Sequence, residues 1–177
     1  MIPYIAPEIF NDAKFSKESD IYSMGMIMWE LTTGCKPFAN VEHDHNLIFE
    51  IVDGKRPEIT NDTPECFADL MKKCWDSNPS KRPSIDDIYY SALKWYESPY
   101  SFRTVPTEFA EIFKQAETKR LKLIQLKKLG PKFNEKSHPK AIFTSRALSS
   151  LISKYSTKSS LSSSSIISFN MKQGILH

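Results

Sequence analysis

Through the first hundred positions apolar residues recur at helical spacing, and no stretch of useful length alternates with a period of two. The densest run predicts a helix over residues 20–33, with Asp20 as its N-cap, Gly34 as its stop and Pro37 just beyond. Ile21, Tyr22, Met24, Met26, Ile27, Met28, Trp29 and Leu31 make it apolar on nearly every side. Such a helix belongs at the centre of a domain. A second helix is expected at about 44–53, from Leu47, Ile48 and Ile51, ended by Gly54 and Pro57. A third runs from Pro64 to Trp75, where Phe67, Leu70, Met71 and Cys74 fall at i, i+3, i+4 and i+7 and Thr63-Pro64 supplies the start. A fourth starts at Ser84, an N-cap with Asp87 three residues on, and continues through Ile88, Ala92 and Leu93 to Tyr96. Past Pro99 one more helix is predicted over 107–129, carrying Phe109, Ile112, Phe113, Ala116 and Leu123 and ended by Gly130-Pro131.

Composition changes this picture in the tail. Residues 149–168 hold eleven serines and one threonine, too little apolar surface to offset the entropy of ordering, so disorder is expected there. Charge divides along the same line. Residues 1–97 carry 10 Lys+Arg against 17 Asp+Glu, and residues 98–177 carry 14 against 4. An acidic body joined to a basic tail implies either two separate roles or a tail lying on the body. Cys35, Cys66 and Cys74 form no C-x-x-C pair, which argues for reduced thiols inside a cell. No run approaches the ~18 apolar residues of a membrane span, and no signal peptide is visible at Met1. The expectation is an intracellular, cytoplasmic protein.

Four motifs then follow one another in order. Pro3-Tyr4-Ile5-Ala6-Pro7-Glu8 resembles the Y-x-A-P-E end of a protein kinase activation segment. Ser19-Asp20-Ile21-Tyr22-Ser23-Met24-Gly25 resembles the S-D-x-[WY]-S-x-G start of the kinase's central helix, continued by Trp29-Glu30-Leu31, Gly34 and Pro37-Phe38. Cys74-Trp75, Pro79 and Arg82-Pro83-Ser84 are similar to the C-W-x-x-x-P-x-x-R-P-[ST] signature before the last helix. Together they identify residues 3–96 as resembling a protein kinase catalytic domain. The C-W-x-x-x-P-x-x-R-P-S pattern with tyrosine at position 4 is similar to the tyrosine-kinase-like Ser/Thr branch, although Met1 stands where that branch has threonine.

The resemblance implies a mainly α fold, the helical C-terminal lobe of the protein-kinase-like fold without the N-terminal lobe, over residues 1–97. A linker at 98–106, a basic amphipathic helix at 107–130 and a Ser-rich, largely disordered tail at 131–177 are expected to follow. It further implies that Glu8 and Arg82 form a buried ion pair, whose loss of one partner costs ~3–5 kcal/mol. Ile2, Pro3, Tyr4 and Ile5 would shape the pocket for the substrate residue after the phosphorylation site. Asp20 would accept hydrogen bonds from the catalytic loop, or else simply cap its own helix. Trp75 would be core packing.

Kinase chemistry also requires a Gly-rich phosphate loop, a lysine–glutamate pair, an H-R-D aspartate and a D-F-G aspartate for Mg²⁺, all upstream of A-P-E. The 177 residues contain no G-x-G-x-x-G, H-R-D or D-F-G. ATP and Mg²⁺ are therefore expected only for a complete kinase, with no cofactor, metal or catalytic residue in this chain. Two readings stay open: part of a longer kinase, with Met1 an internal methionine, or a non-catalytic lobe that acts by binding. His43-Asp44-His45 cannot converge on one metal from a helix and reads as a solvated loop. Residues 114–132 hold seven Lys/Arg against Glu117, interleaved with Leu121, Leu123, Ile124, Leu126 and Leu129. That segment suits an acidic protein partner or an anionic surface, or else packs loosely on the acidic lobe; specific nucleic-acid binding is not expected. The tail serines are candidate phosphorylation sites, where added phosphate could pair with nearby lysines.

Overall fold

A computed structural model of the chain describes residues 1–100, 108–131 and 137–144, and these hold helices and no strand. A short 3₁₀ turn at Ile2–Tyr4 leads into α1 (Pro7–Phe10), followed by α2 (Lys17–Thr33) and α3 (His45–Val52). After α4 (Glu65–Cys74) come a 3₁₀ turn at Pro79–Lys81, α5 (Ile85–Tyr100) and α6 (Glu108–Gln125). The serine-rich stretch 149–168 and most of the linker 98–106 lie outside the described residues.

Helix α2 organises the molecule, and it starts earlier than its apolar pattern indicates. Ser16 is the N-cap: its hydroxyl accepts from the Ser19 amide, and the Ser19 hydroxyl accepts from the Ser16 amide. Two orphan amides of the first turn are satisfied reciprocally, which displaces Asp20 from the capping role. The C-terminus is set by Gly34 at φ 68, whose N–H reaches the Glu30 carbonyl. Only a residue without a Cβ enters that left-handed conformation without strain.

The helix is also not buried all round. Ile21, Tyr22, Met26, Met28 and Trp29 are in the core, but Met24, Ile27 and Leu31 are exposed, Leu31 by 71 %. With Asp20 these form one stripe at helical spacing. An apolar side chain on this stripe reports a surface the described residues leave uncovered, which composition alone cannot distinguish from core.

Opposite the stripe, α2 crosses α4 closely. A Cβ added at Gly25 would lie 2.9 Å from the Cys74 Cβ, so glycine is required at the crossing. Trp29 is fully buried and donates its indole N–H to the Glu58 carbonyl at 2.8 Å. Asp44 caps α3 by accepting from the Asn46 and Leu47 amides. Ser84 and Asp87 cap α5 reciprocally. Helix α6 lies on α5 and α4, with Trp95 set between Phe67 and Phe113. Arg120 of α6 donates to the Thr32 carbonyl at the negative end of the α2 dipole. The turn after α6 comes before Gly130-Pro131. Lys127 takes φ 53, and the Lys128 amide reaches back to the Leu123 carbonyl.

Within 131–177, expected to be largely disordered, residues 137–144 run along the loop between α2 and α3. The His138 amide donates to Ala39, and the His43 amide donates to Lys140. His43 itself, expected in a solvated loop, is 3 % exposed and is enclosed by this contact. Residues 132–136 and 145–177 lie outside the described structure.

Candidate functional site

The chain's opening segment is fastened to the helices by one arginine. Arg82 follows a 3₁₀ turn and has a completely buried side chain. Its guanidinium makes two parallel bonds to the Glu8 carboxylate, Nη1–Oε1 at 2.7 Å and Nη2–Oε2 at 2.8 Å. Nη1 also donates to the Glu18 carbonyl and Nε to the Asp76 carbonyl, each at 2.9 Å. One side chain thus joins α1, the first turn of α2 and the loop after α4. Burial on its own would raise the Glu8 pKa, but the Arg82 hydrogen bonds and the nearby charges of Arg82 and Arg56 leave it below the usual carboxylate value.

Tyr22 lies beneath this pair, with the Arg82 guanidinium 5.2 Å and the Arg56 guanidinium 5.0 Å from its ring centroid. Arg56 donates to the carbonyls of Trp75 and Ile51, and desolvation lowers its pKa. Burial pushes the Tyr22 phenol up to about 12, although both guanidinium charges oppose the shift. Sequence reading singled out Arg82, passed over Arg56, and counted Tyr22 only as an apolar and motif position of α2. A signal existed: both arginines precede proline, at Arg56-Pro57 and Arg82-Pro83. The carbonyl of Trp75 anchors Arg56, while its side chain is buried against the α2–α4 core.

Beside this junction an open cavity of about 450 Å³ lies between the opening segment and the exposed stripe of α2. Tyr4, Ile5 and Ala6 line one wall, Ser23, Ile27 and Glu30 the other, and Phe15, Asp20 and Lys36 stand at its edges. Of the four positions expected to shape a substrate pocket, Tyr4 and Ile5 face this groove. Ile2 and Pro3 do not: both are buried, Ile2 in the core against α2 and α3, because the Ile2–Tyr4 turn directs them inward.

Tyr4 is held at both ends. Its hydroxyl donates to Glu30 Oε2 at 2.5 Å, and its carbonyl accepts from the Ser23 hydroxyl at 2.7 Å. Desolvation, then the hydrogen bond to Glu30 and its negative charge, raise the Tyr4 pKa strongly, so the phenol stays a neutral donor. Lys36 approaches Glu30 at 3.8 Å. Asp20 is exposed at the groove edge and makes no side-chain hydrogen bond or ion pair among the described residues. The groove therefore offers an apolar floor, a fixed phenol and two carboxylates. It suits an extended peptide with an apolar side chain and a nearby base.

The same residues do not fit ATP and Mg²⁺. Of the two groove carboxylates, Glu30 already accepts from the Tyr4 hydroxyl, and Asp20 stands apart from it at the groove edge. Lys36, at the groove edge, already faces Glu30 and Phe143 instead of an open phosphate cradle.

A helical lobe whose first segment is clamped by a buried Glu–Arg pair is consistent with the C-terminal lobe of a protein kinase. A sequence model of the protein tyrosine and serine/threonine kinase family matches residues 1–92, and the chain belongs to that family. It is 39 % identical over 85 residues to a putative serine/threonine-protein kinase/receptor of Acanthamoeba polyphaga mimivirus, a match covering 48 % of this chain and 5 % of that protein. It is 38 % identical over 107 residues to stress-activated protein kinase alpha of Dictyostelium discoideum, covering 55 % of this chain and 17 % of the relative. To human mitogen-activated protein kinase kinase kinase 7 it is 34 % identical over 86 residues, covering 48 % and 14 %. The chain thus corresponds to a small part of the length of these relatives. No helix among the described residues is long and apolar enough to cross a membrane.

Proposed function

We propose that residues 1–100 form the substrate-facing part of a serine/threonine kinase, which when complete transfers the γ-phosphoryl group of ATP to Ser or Thr of intracellular proteins. The observation that carries this reading is the Glu8–Arg82 clamp, which fastens the segment carrying Tyr4 and Ile5 beside α2. Similarity to a putative serine/threonine-protein kinase/receptor of Acanthamoeba polyphaga mimivirus supports Ser/Thr over Tyr as acceptor. The residues of this chain bind and orient a peptide. The groups that hold ATP and metal and take the acceptor proton belong to motifs that these 177 residues lack. Asp20, excluded as the N-cap of α2, is then available to accept amides of a catalytic loop packed on the exposed stripe.

A second reading, a non-catalytic interaction module, is favoured by that stripe itself, since Met24, Ile27, Leu31 and Phe15 present apolar surface to solvent. On either reading the cysteine thiols suit a reducing cytoplasm, and the exposed lysines of α6 suit an acidic protein or anionic surface. NMR titration of the chain with short serine peptides carrying an apolar residue after the serine separates the two readings. Shifts at Tyr4, Ile5 and Ile27 support the kinase reading. Shifts confined to Met24 and Leu31, or none at all, refute it.

A further inference from the structure

The contact between residues 137–144 and the loop joining α2 to α3 has the character of a peptide seated in a binding site. The segment has no helix or strand of its own. Two backbone hydrogen bonds hold it, His138 N–H to the Ala39 carbonyl at 2.7 Å and His43 N–H to the Lys140 carbonyl at 3.2 Å. A third comes from the Ile142 amide to His43 Nδ1 at 3.0 Å, while His43 Nε2 lies 3.0 Å from the Phe38 carbonyl. The Phe38 carbonyl can only accept, so Nε2 carries a proton and donates to it. The Ile142 carbonyl also lies 3.0 Å from Nδ1.

Side chains add selectivity at two points. Phe143 meets the His43 ring edge-on at 4.7 Å between centroids, with Lys36 Nζ 5.1 Å from the Phe143 centroid. Lys140 pairs with Glu42 at 3.1 Å. Main-chain bonds for affinity with separate side-chain contacts for selectivity is the mode by which folded domains read extended peptides.

We infer that the 36–43 loop is a docking site for an extended segment of the form Lys-x-Ile-Phe, and that residues 140–143 are its resident ligand. A protein carrying the same chemistry competes with this resident segment for His43 and Glu42. The site lies outside the groove described above, meeting it at Lys36 and, through the Met1 ammonium that donates to the Thr144 carbonyl, at Met1, and does not depend on the kinase reading. Because the resident ligand is tethered, its effective concentration is in the ~mM range. A competitor of similar intrinsic affinity therefore binds the native chain at least ~10-fold more weakly than a chain whose own segment is impaired.

The test uses the full chain and a fluorescein-labelled peptide of residues 137–144, read by fluorescence anisotropy. Phe143→Ala in the chain should give saturable binding at least ~10-fold tighter than the native chain, and adding Glu42→Lys should weaken it several-fold. A labelled peptide with its own Phe143→Ala change should not bind. Absence of saturable binding to the Phe143→Ala chain, or equal binding by native chain and variant, overturns the inference. Hydrogen exchange on the native chain needs no variant: excess unlabelled peptide should remove protection from the Ile142 amide. Protection that is unchanged by the peptide, or absent from the start, also overturns it.

Discussion

Replacing Arg82 by alanine probes the fold and the groove together. The change deletes a fully buried guanidinium and four hydrogen bonds, two to Glu8 and one each to the carbonyls of Glu18 and Asp76. It leaves a carboxylate whose side chain is only 18 % exposed, and it removes the cation from one side of the Tyr22 ring. Breaking a buried pair from one side costs ~3–5 kcal/mol. Partial access of water to Glu8 and the nearby positive charge of Arg56 place the expected loss near the lower end, ~3 kcal/mol. For a domain of about a hundred residues that lowers Tm by more than ~10 °C. Lys81→Ala, one residue away on the surface, should stay within ~0.5 kcal/mol. Arg82→Lys keeps the charge but not the paired geometry and should fall between the two.

The acid limb of stability gives a second readout of the same pair. The folded-state pKa of Glu8 is depressed. Its contribution is therefore fully present above the unfolded value of ~4.3 and is lost as pH falls through the folded value. Arg82→Ala should flatten stability against pH in that window. Thermal unfolding followed by circular dichroism, from neutral pH into that window, measures both effects. Small and equal losses from Arg82→Ala and Lys81→Ala, with unchanged acid limbs, would refute the reasoning.

Ser16→Ala should cost ~1 kcal/mol through loss of the α2 cap, whereas Asp20→Ala should cost under ~0.5 kcal/mol; denaturant titration of the two variants checks the order. Gly25→Ala forces α2 and α4 apart at the Cys74 contact and should cost ~1–3 kcal/mol, seen as a lower urea midpoint. Burial pushes the Cys74 thiol up to about 11, so at pH 8 it should react with a thiol reagent only at the rate of global unfolding. The half-buried Cys35 and Cys66 should react faster, as mass spectrometry of partly labelled chain would show.

Much of the lobe was legible because its signals are local. The apolar spacing of Phe67, Leu70, Met71 and Cys74 and the Ser84/Asp87 pair mark α4 and the start of α5 by chemistry that acts within one or two turns. What failed depends on which of several local partners is used, or on neighbours distant in sequence. Asp20 and Ser16 are both good caps, and only the reciprocal Ser19 bond decides between them. Met24, Ile27 and Leu31 look like core residues because hydropathy records a preference, not the neighbour that satisfies it. Ile2 and Pro3 share the groove motif with Tyr4 and Ile5, yet one turn of backbone sends the first pair inward. The segment at 137–144 has no periodicity to read, since main-chain bonds and two side chains hold it.

A phosphate-transfer assay tests the proposed function most directly. The purified chain would be incubated with γ-labelled ATP, Mg²⁺ and a mixture of serine and threonine peptides, and phosphopeptide would be counted. The account predicts no incorporation above a reaction without the chain, while the same peptides still shift the signals of Tyr4 and Ile5. Labelled phosphoserine formed in proportion to the chain, and abolished by Arg82→Ala, would contradict it.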